Sequence, residues 1–203
     1  MIDKLQLFST ELKKNDFQKC ADIHVNEIEG GLLKSLGKRF IFFIYQHIFQ
    51  SNYSFLIVAK KDNDIIGFFA GCIDQKLFYV DFIKKNLLIL ILNSWKFLKI
   101  ELLLKIFSLN KFFLKKSDNL TSSLILNFCV DKKYQSLGIG KVLFDEAINI
   151  FKINKVHNIK ITTSKNQEKA INMYLSYGAI RVHEDQNFNK NKKNVVFILN
   201  LKK

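Results

Sequence analysis

Apolar and polar positions follow two rhythms along this chain. Short β-rich runs at Leu5–Phe8, Phe55–Ala59, Ile65–Ile73, Leu124–Val130, Asn158–Thr163, Ala179–Glu184 and Val195–Leu201 read as strands. Helical spacing appears in Phe17, Cys20, Ala21 and His24, then from about Leu32 to Phe49, from Gly138 to about Lys152, and over Lys165–Tyr177. Within the third of these helices Ile139, Val142, Leu143, Ala147, Ile150 and Phe151 are expected to form one apolar stripe. The chain contains no proline, so its punctuation is glycine and polar clusters: Gly30-Gly31 between the first two helices, Asp62-Asn63-Asp64 as a hairpin turn, and Gly178 as a helix C-terminal glycine. Strand, helix, helix, strand, strand, insert, strand, helix, strand, helix, strand, strand predicts a single α/β (α+β) domain over residues 1–203. Its core is a central mixed sheet flanked by helices.

The stretch from Leu77 to Ser117, between the third and fourth strands, breaks the pattern. It reads as a helical insert rich in Leu, Ile and Phe, in which eight lysines oppose only Asp81 and Glu101. Its longest uncharged run, Asn86–Trp95, is half the roughly 20 apolar residues that a membrane-spanning helix needs. Lysine spaced through apolar residues suits helices lying in an anionic membrane interface. The same pattern suits helices that cover the sheet, line an acceptor pocket or form a homodimer surface, with the lysines in water.

Hydrophobic residues make up 48% of the 203 residues and charged residues 25%, which excludes global disorder and a polytopic membrane protein. The formal charge of +14 invites a polyanion partner. Only Arg39 and Arg181 are arginines, however, and the planar fork that reads bases and clamps phosphates is therefore scarce; nucleic acid is not the expected partner. Cys20, Cys72 and Cys129 are odd in number and widely spaced, so neither a disulfide framework nor a metal site is expected. No apolar run of signal-peptide length precedes Glu11–Gln18, which makes the expected location cytoplasmic, with peripheral membrane attachment as the alternative that the insert raises.

The chemistry-bearing segment is Gln135-Ser136-Leu137-Gly138-Ile139-Gly140-Lys141, between a buried strand and an amphipathic helix. A glycine-rich strand-to-helix turn presents unpaired N–H groups and the positive end of the helix dipole to an anion. Gly138 and Gly140 keep Cβ atoms out of the way of a diphosphate, and Lys141 adds charge. The Walker-type Gly-x-x-x-x-Gly-Lys-Ser/Thr spacing is absent, and Leu143 stands where a dinucleotide fingerprint needs its last glycine.

Val130 to Lys141 resembles the core motif of the GNAT superfamily of acetyl-coenzyme-A-dependent N-acyltransferases, an Arg/Gln-x-x-Gly-x-Gly/Ala turn opening a helix. Lys169-Ala170-Ile171-Asn172-Met173-Tyr174-Leu175-Ser176-Tyr177-Gly178-Ala179 is similar to that family's Ala-x-x-x-Tyr-x-x-x-Gly-Phe segment. The resemblance is sharpest over residues 124–181, and the element order extends it to everything outside the insert. It implies that acetyl-CoA is the co-substrate and that main-chain groups of Phe128, Cys129 and Val130 hold its pantetheine arm. Gln135, Ser136, Leu137, Gly138, Ile139, Gly140 and Lys141 would cradle the pyrophosphate, and Tyr174 would stand near the thioester sulfur as the catalytic acid. The asparagine that many relatives place seven positions before the tyrosine falls on Gln167, with Asn166 one step earlier as the cofactor-binding candidate. Where some relatives carry a glutamate base this chain has Thr162, which leaves Asn127 as a water holder and His24, Glu27 or Glu29 as candidates for the acceptor side.

The expected function is acetyl transfer from acetyl-CoA to a primary amine by direct attack in a ternary complex, with an amino-sugar nucleotide as one acceptor class. The alternatives are a protein N-terminal or lysine acetyltransferase and a non-catalytic basic module binding nucleic acid or an anionic membrane.

Overall fold

The computed structural model describes residues 5–28, 33–34, 37–94, 121–186 and 193–202. Residues 95–120, most of the predicted insert, and Gly30-Gly31 lie outside the described residues. The elements run β1 (Gln6–Phe8), α1 (Lys14–Glu27), α2 (Lys38–Gln50), β2 (Ser54–Lys61), β3 (Asp64–Cys72), α3 (Gln75–Ser94), β4 (Leu124–Val130), α4 (Ile139–Ile153), β5 (Asn158–Ser164), α5 (Glu168–Ser176), β6 (Ile180–Gln186) and β7 (Lys193–Asn200). Among the described residues seven strands form one sheet in the order β1-β2-β3-β4-β5-β7-β6. All neighbours are antiparallel except β4 and β5, which run parallel. This is the mixed sheet flanked by helices that the element order predicts.

Alternation along the strands divides the core into two layers. Phe55, Ile57, Ile66, Phe69 and Val130 face α4, whose Leu143, Phe144, Ala147 and Phe151 are buried against them. Leu56, Val58, Ile65 and Phe68 face the other way, against Phe17, Cys20 and Ala21 of α1 and Ile41, Tyr45 and Ile48 of α2. Two details differ from the sequence expectation. Helix α2 begins at Lys38 rather than Leu32, because Gly37 takes φ 88° and caps it. On α4 the buried stripe is Ile139, Leu143, Phe144, Ala147 and Phe151, and Val142 is exposed; at 100° per residue Phe144, not Val142, continues the face set by Ile139, Leu143 and Phe151.

Helix α1 is fixed at its start by Asp16, which accepts from the Lys13 backbone at 2.8 Å and pairs with Lys60 of β2 at 2.7 Å. The first half of α3 docks on α2: Asn86 lies 3.2 Å from His47 Nδ1, and His47 packs between Phe78 and Phe82. Described residues contain no helix long and apolar enough to cross a membrane.

Candidate functional site

Two irregularities open the middle of the sheet. Along β3 and β4, Ala70 pairs with Asn127 but Gly71 pairs with Ile125, so Leu126 is an extra, unopposed residue. Such a bulge bends and twists its strand. On its other edge β4 pairs with β5 at Leu124 and Lys160 alone, whereas β5 pairs with β7 along its whole length. From Ile125 to Val130 the edge facing β5 therefore has no strand partner among the described residues, and its main-chain donors and acceptors are available to a ligand.

The carboxyl end of this divergence is where both following helices begin, the position at which open α/β sheets bind ligands. A short 3₁₀ turn, Lys132–Tyr134, follows β4; the Asp131 carboxylate accepts from Lys133 N, and the Asp131 N–H donates to Ile66 O. Ser136 takes φ 64° and Gly138 φ 82°, reversing the chain into α4. The first bond within α4 runs from Val142 N to Gly138 O, so the N–H groups of Ile139, Gly140 and Lys141 precede the ladder. A Cβ built on Gly138 meets nothing within 4 Å, so that face of the turn opens outward. A Cβ on Gly140 would already stand 3.4 Å from the Phe128 ring. Divergent strand edge, unladdered N–H groups and glycine-lined approach fit a pantetheine arm ending in a diphosphate.

The residues named from sequence are brought together unevenly. Phe128 points into the α4 layer against Phe69 and Phe144, while Cys129 points to the α1 and α2 layer. Opposite β3, Cys129 turns its main-chain groups to Phe68, as Asp131 does to Ile66, and the main-chain groups of Phe128 and Val130 face the open edge. Gln135 uses its side-chain amide internally, donating to Val130 O at 2.9 Å and holding the loop closed over the end of β4. Asn166 is exposed in the turn between β5 and α5, beside the Gln167 N-cap.

Tyr174 is 5% exposed, between Phe144 of α4 and Phe197 of β7. Its hydroxyl has no hydrogen-bond partner among the described residues. Burial pushes the phenol above its ordinary range, so it keeps its proton. Tyr177, close to one turn on along α5, instead donates its hydroxyl to Asp145 at 2.5 Å.

Of the acceptor-side candidates, Glu29 lies outside the described residues. Glu27, the last residue of α1, is half-buried, and its charge is felt at the Cys129 thiol, which burial pushes up to about 12. Thr162 is exposed on β5. His24 is buried with Nδ1 2.6 Å from the Tyr45 hydroxyl, and burial, with the charge of Lys34, holds its imidazole at about 4. His24 is therefore neutral in the fold near neutral pH but protonates near 6.5 when unfolded. Its contribution to stability is complete above pH 6.5 and is lost as pH falls toward 4, by up to about 3 kcal/mol. Urea unfolding of the wild type between pH 7.5 and 4 should show this decline, and His24→Gln should flatten the part of the curve between 6.5 and 4; a slope unchanged in the variant contradicts the assignment.

One contact was not visible in the motif reading: Lys169, in the first turn of α5, places its ammonium 3.3 Å from Ser136 Oγ in the glycine-rich loop. No spacing rule announces a link between residues 33 positions apart.

Comparison with known proteins agrees with this geometry. Residues 114–179 match the family model described as acetyltransferase (GNAT) family. Among solved structures, an N-acetyltransferase from Staphylococcus aureus Mu50 superposes with TM-score 0.66 at 12% identity, covering 98% of this chain and 100% of that one. The ribosomal-protein-S18-alanine N-acetyltransferase from Escherichia coli gives 0.61 at 11%, covering 98% and 95%. A GNAT family acetyltransferase from Elizabethkingia anophelis with acetyl-CoA bound gives 0.55 at 16%, covering 98% and 99%. No curated protein matches the sequence.

Proposed function

We propose that this chain, which has the GNAT fold and carries that family's segment at residues 114–179, transfers acetyl from acetyl-CoA to a primary amine in a ternary complex. The observation that carries the reading is the divergence of β4 from β5 directly beside the glycine-rich start of α4. Acetyl-CoA would supply an activated thioester. Main-chain groups of Phe128 and Val130 would align the pantetheine arm, and the N–H groups of Ile139 to Lys141, with the helix dipole, would hold the diphosphate. An N–H at the β4 end would receive the charge that develops on the acetyl oxygen. In the reaction a C–N bond forms, the C–S bond breaks, and the amine nitrogen gives up a proton to water or a nearby base. The sulfur leaves as thiolate, steadied by the Tyr174 O–H. Because burial raises that phenol, its service is a donated hydrogen bond rather than complete proton transfer.

On the acceptor side, Glu27 is the carboxylate best placed to attract an ammonium and relieve it of a proton, with Asn127 on the same face of β4 as Cys129. The excess of lysine favours an amino-sugar nucleotide as acceptor by charge; the alternative is a protein amine, N-terminal or lysine, and the superposed E. coli enzyme is named for an alanine of ribosomal protein S18.

Calorimetry with acetyl-CoA is expected to give one-to-one binding, and thiol release should accelerate with one member of a panel holding an amino-sugar nucleotide, an N-terminal peptide, a lysine peptide and a polyamine. Absence of binding to any acyl-CoA overturns the reading.

A further inference from the structure

Two cations occupy first-turn positions that a helix dipole disfavours. Lys141 stands in the first turn of α4, which has no acidic residue there, and Lys169 stands in the first turn of α5. Both helices start at the mouth of the β4–β5 divergence, so two helix dipoles and two ammonium groups direct positive potential there, against the single carboxylate of Glu168 in the first turn of α5. The Lys169 ammonium has no carboxylate partner among the described residues; it rests on the neutral Ser136 hydroxyl at 3.3 Å. Ser136 itself is held at φ 64° within the loop that leads to the unladdered N–H groups. A hydroxyl accepts from an ammonium but leaves its charge uncompensated, which an anionic oxygen neutralises at the same distance.

We infer that Lys169 is a cofactor-contacting residue: its ammonium leaves Ser136 Oγ for a diphosphate oxygen of the bound coenzyme and so joins the start of α5 to the glycine-rich loop across the cleft. This rests on the acetyl-CoA reading above. It adds to it a latch between the two helix starts, with α5, the helix that carries Tyr174, drawn toward the loop by the ligand's own charge. No bond is made or broken; one hydrogen bond is exchanged for a stronger one.

The test is binding of CoA, 3′-dephospho-CoA and pantetheine to wild type, Lys169→Ala and Lys169→Arg, by calorimetry for the first two ligands and by NMR titration for the third. Lys169→Ala should weaken CoA and 3′-dephospho-CoA alike by about tenfold, leave pantetheine unchanged, and leave the unliganded melting temperature unchanged; Lys169→Arg should restore most of the affinity. Equal affinity of wild type and Lys169→Ala for CoA overturns the inference while the acetyl-CoA reading stands. A deficit confined to CoA, absent with 3′-dephospho-CoA, moves the contact to the 3′-phosphate and overturns it as stated, and an equal deficit on pantetheine shows a structural role only. If the wild type binds no CoA, the reading beneath it has failed.

Discussion

Replacement of Tyr174 by phenylalanine lowers turnover about a hundredfold and leaves the apparent KM for acetyl-CoA within about twofold, the signature of an interaction made only as charge develops on the leaving sulfur. The argument rests on what the substitution removes. The ring keeps its packing on Phe144 and Phe197, and the missing hydroxyl had no partner among the described residues, so the fold should lose little. Because burial holds the phenol protonated well above its ordinary range, no falling limb from Tyr174 should appear in the wild-type pH–rate profile at or below pH 10. Thiol release measured with the accelerating amine, together with a melting curve for the variant, decides the matter. Unchanged turnover removes Tyr174 from the mechanism, and Tyr177→Phe, which loses the bond to Asp145, serves as the contrast.

The second large effect concerns stability. Gly71→Ala should destabilise the domain by about 3 kcal/mol, at the upper end of what overpacking costs. Gly71 stands directly opposite Phe55 in the β2–β3 ladder, and a Cβ built on it falls 2.3 Å from Cζ of the Phe55 ring. That ring cannot swing aside freely, because it stacks on Phe69 at 6.1 Å and meets Phe151 edge-on at 4.9 Å. Phe55→Leu alone leaves space and is also destabilising. The double variant should be more stable than the sum of the single losses predicts, and a double-mutant cycle from urea denaturation measures that coupling. Additive losses would show that ring and glycine do not share the space.

These two sites show how differently the chain displays its organisation. Tyr174 was named only through the likeness of Lys169–Ala179 to the GNAT family's Ala-x-x-x-Tyr segment, whereas the glycine-rich turn speaks for itself through helix-end electrostatics. The strands and their order were legible for a similar reason, since period-two runs separated by turn residues say what they are. Gly71 was not legible: nothing in Ile65–Ile73 distinguishes a glycine packed beneath an aromatic ring from one that merely weakens a strand. The bulge at Leu126 was equally silent, because a single unopposed residue is a property of two strands in register and neither strand alone records it. The stripe on α4 misplaced one residue for a smaller reason. Val142 is as apolar as its neighbours, and only its angular offset turns it to solvent. His24 and Tyr45 meet across 21 positions, and Lys169 and Ser136 across 33, so both contacts had to wait for the tertiary fold.

The single strand pair at Leu124 and Lys160 has a consequence for cooperativity. On one side lie β1 to β4 with α1 and α2; on the other, β5 to β7 with α5; and the two halves share few main-chain bonds. What spans them is α4, whose Phe144 touches Phe69 and Phe128 on one side and Tyr174 and Tyr177 on the other. With one apolar layer shared across the seam but few main-chain bonds, amide exchange is expected to be faster on the β4 and β5 edges that face the gap than in the β2–β3 and β5–β7 ladders. A ligand lying in the gap would then act as an eighth strand that the gene does not encode, so that the ordered length of the sheet, and with it the melting temperature, becomes a function of the metabolite supply rather than of the polypeptide alone.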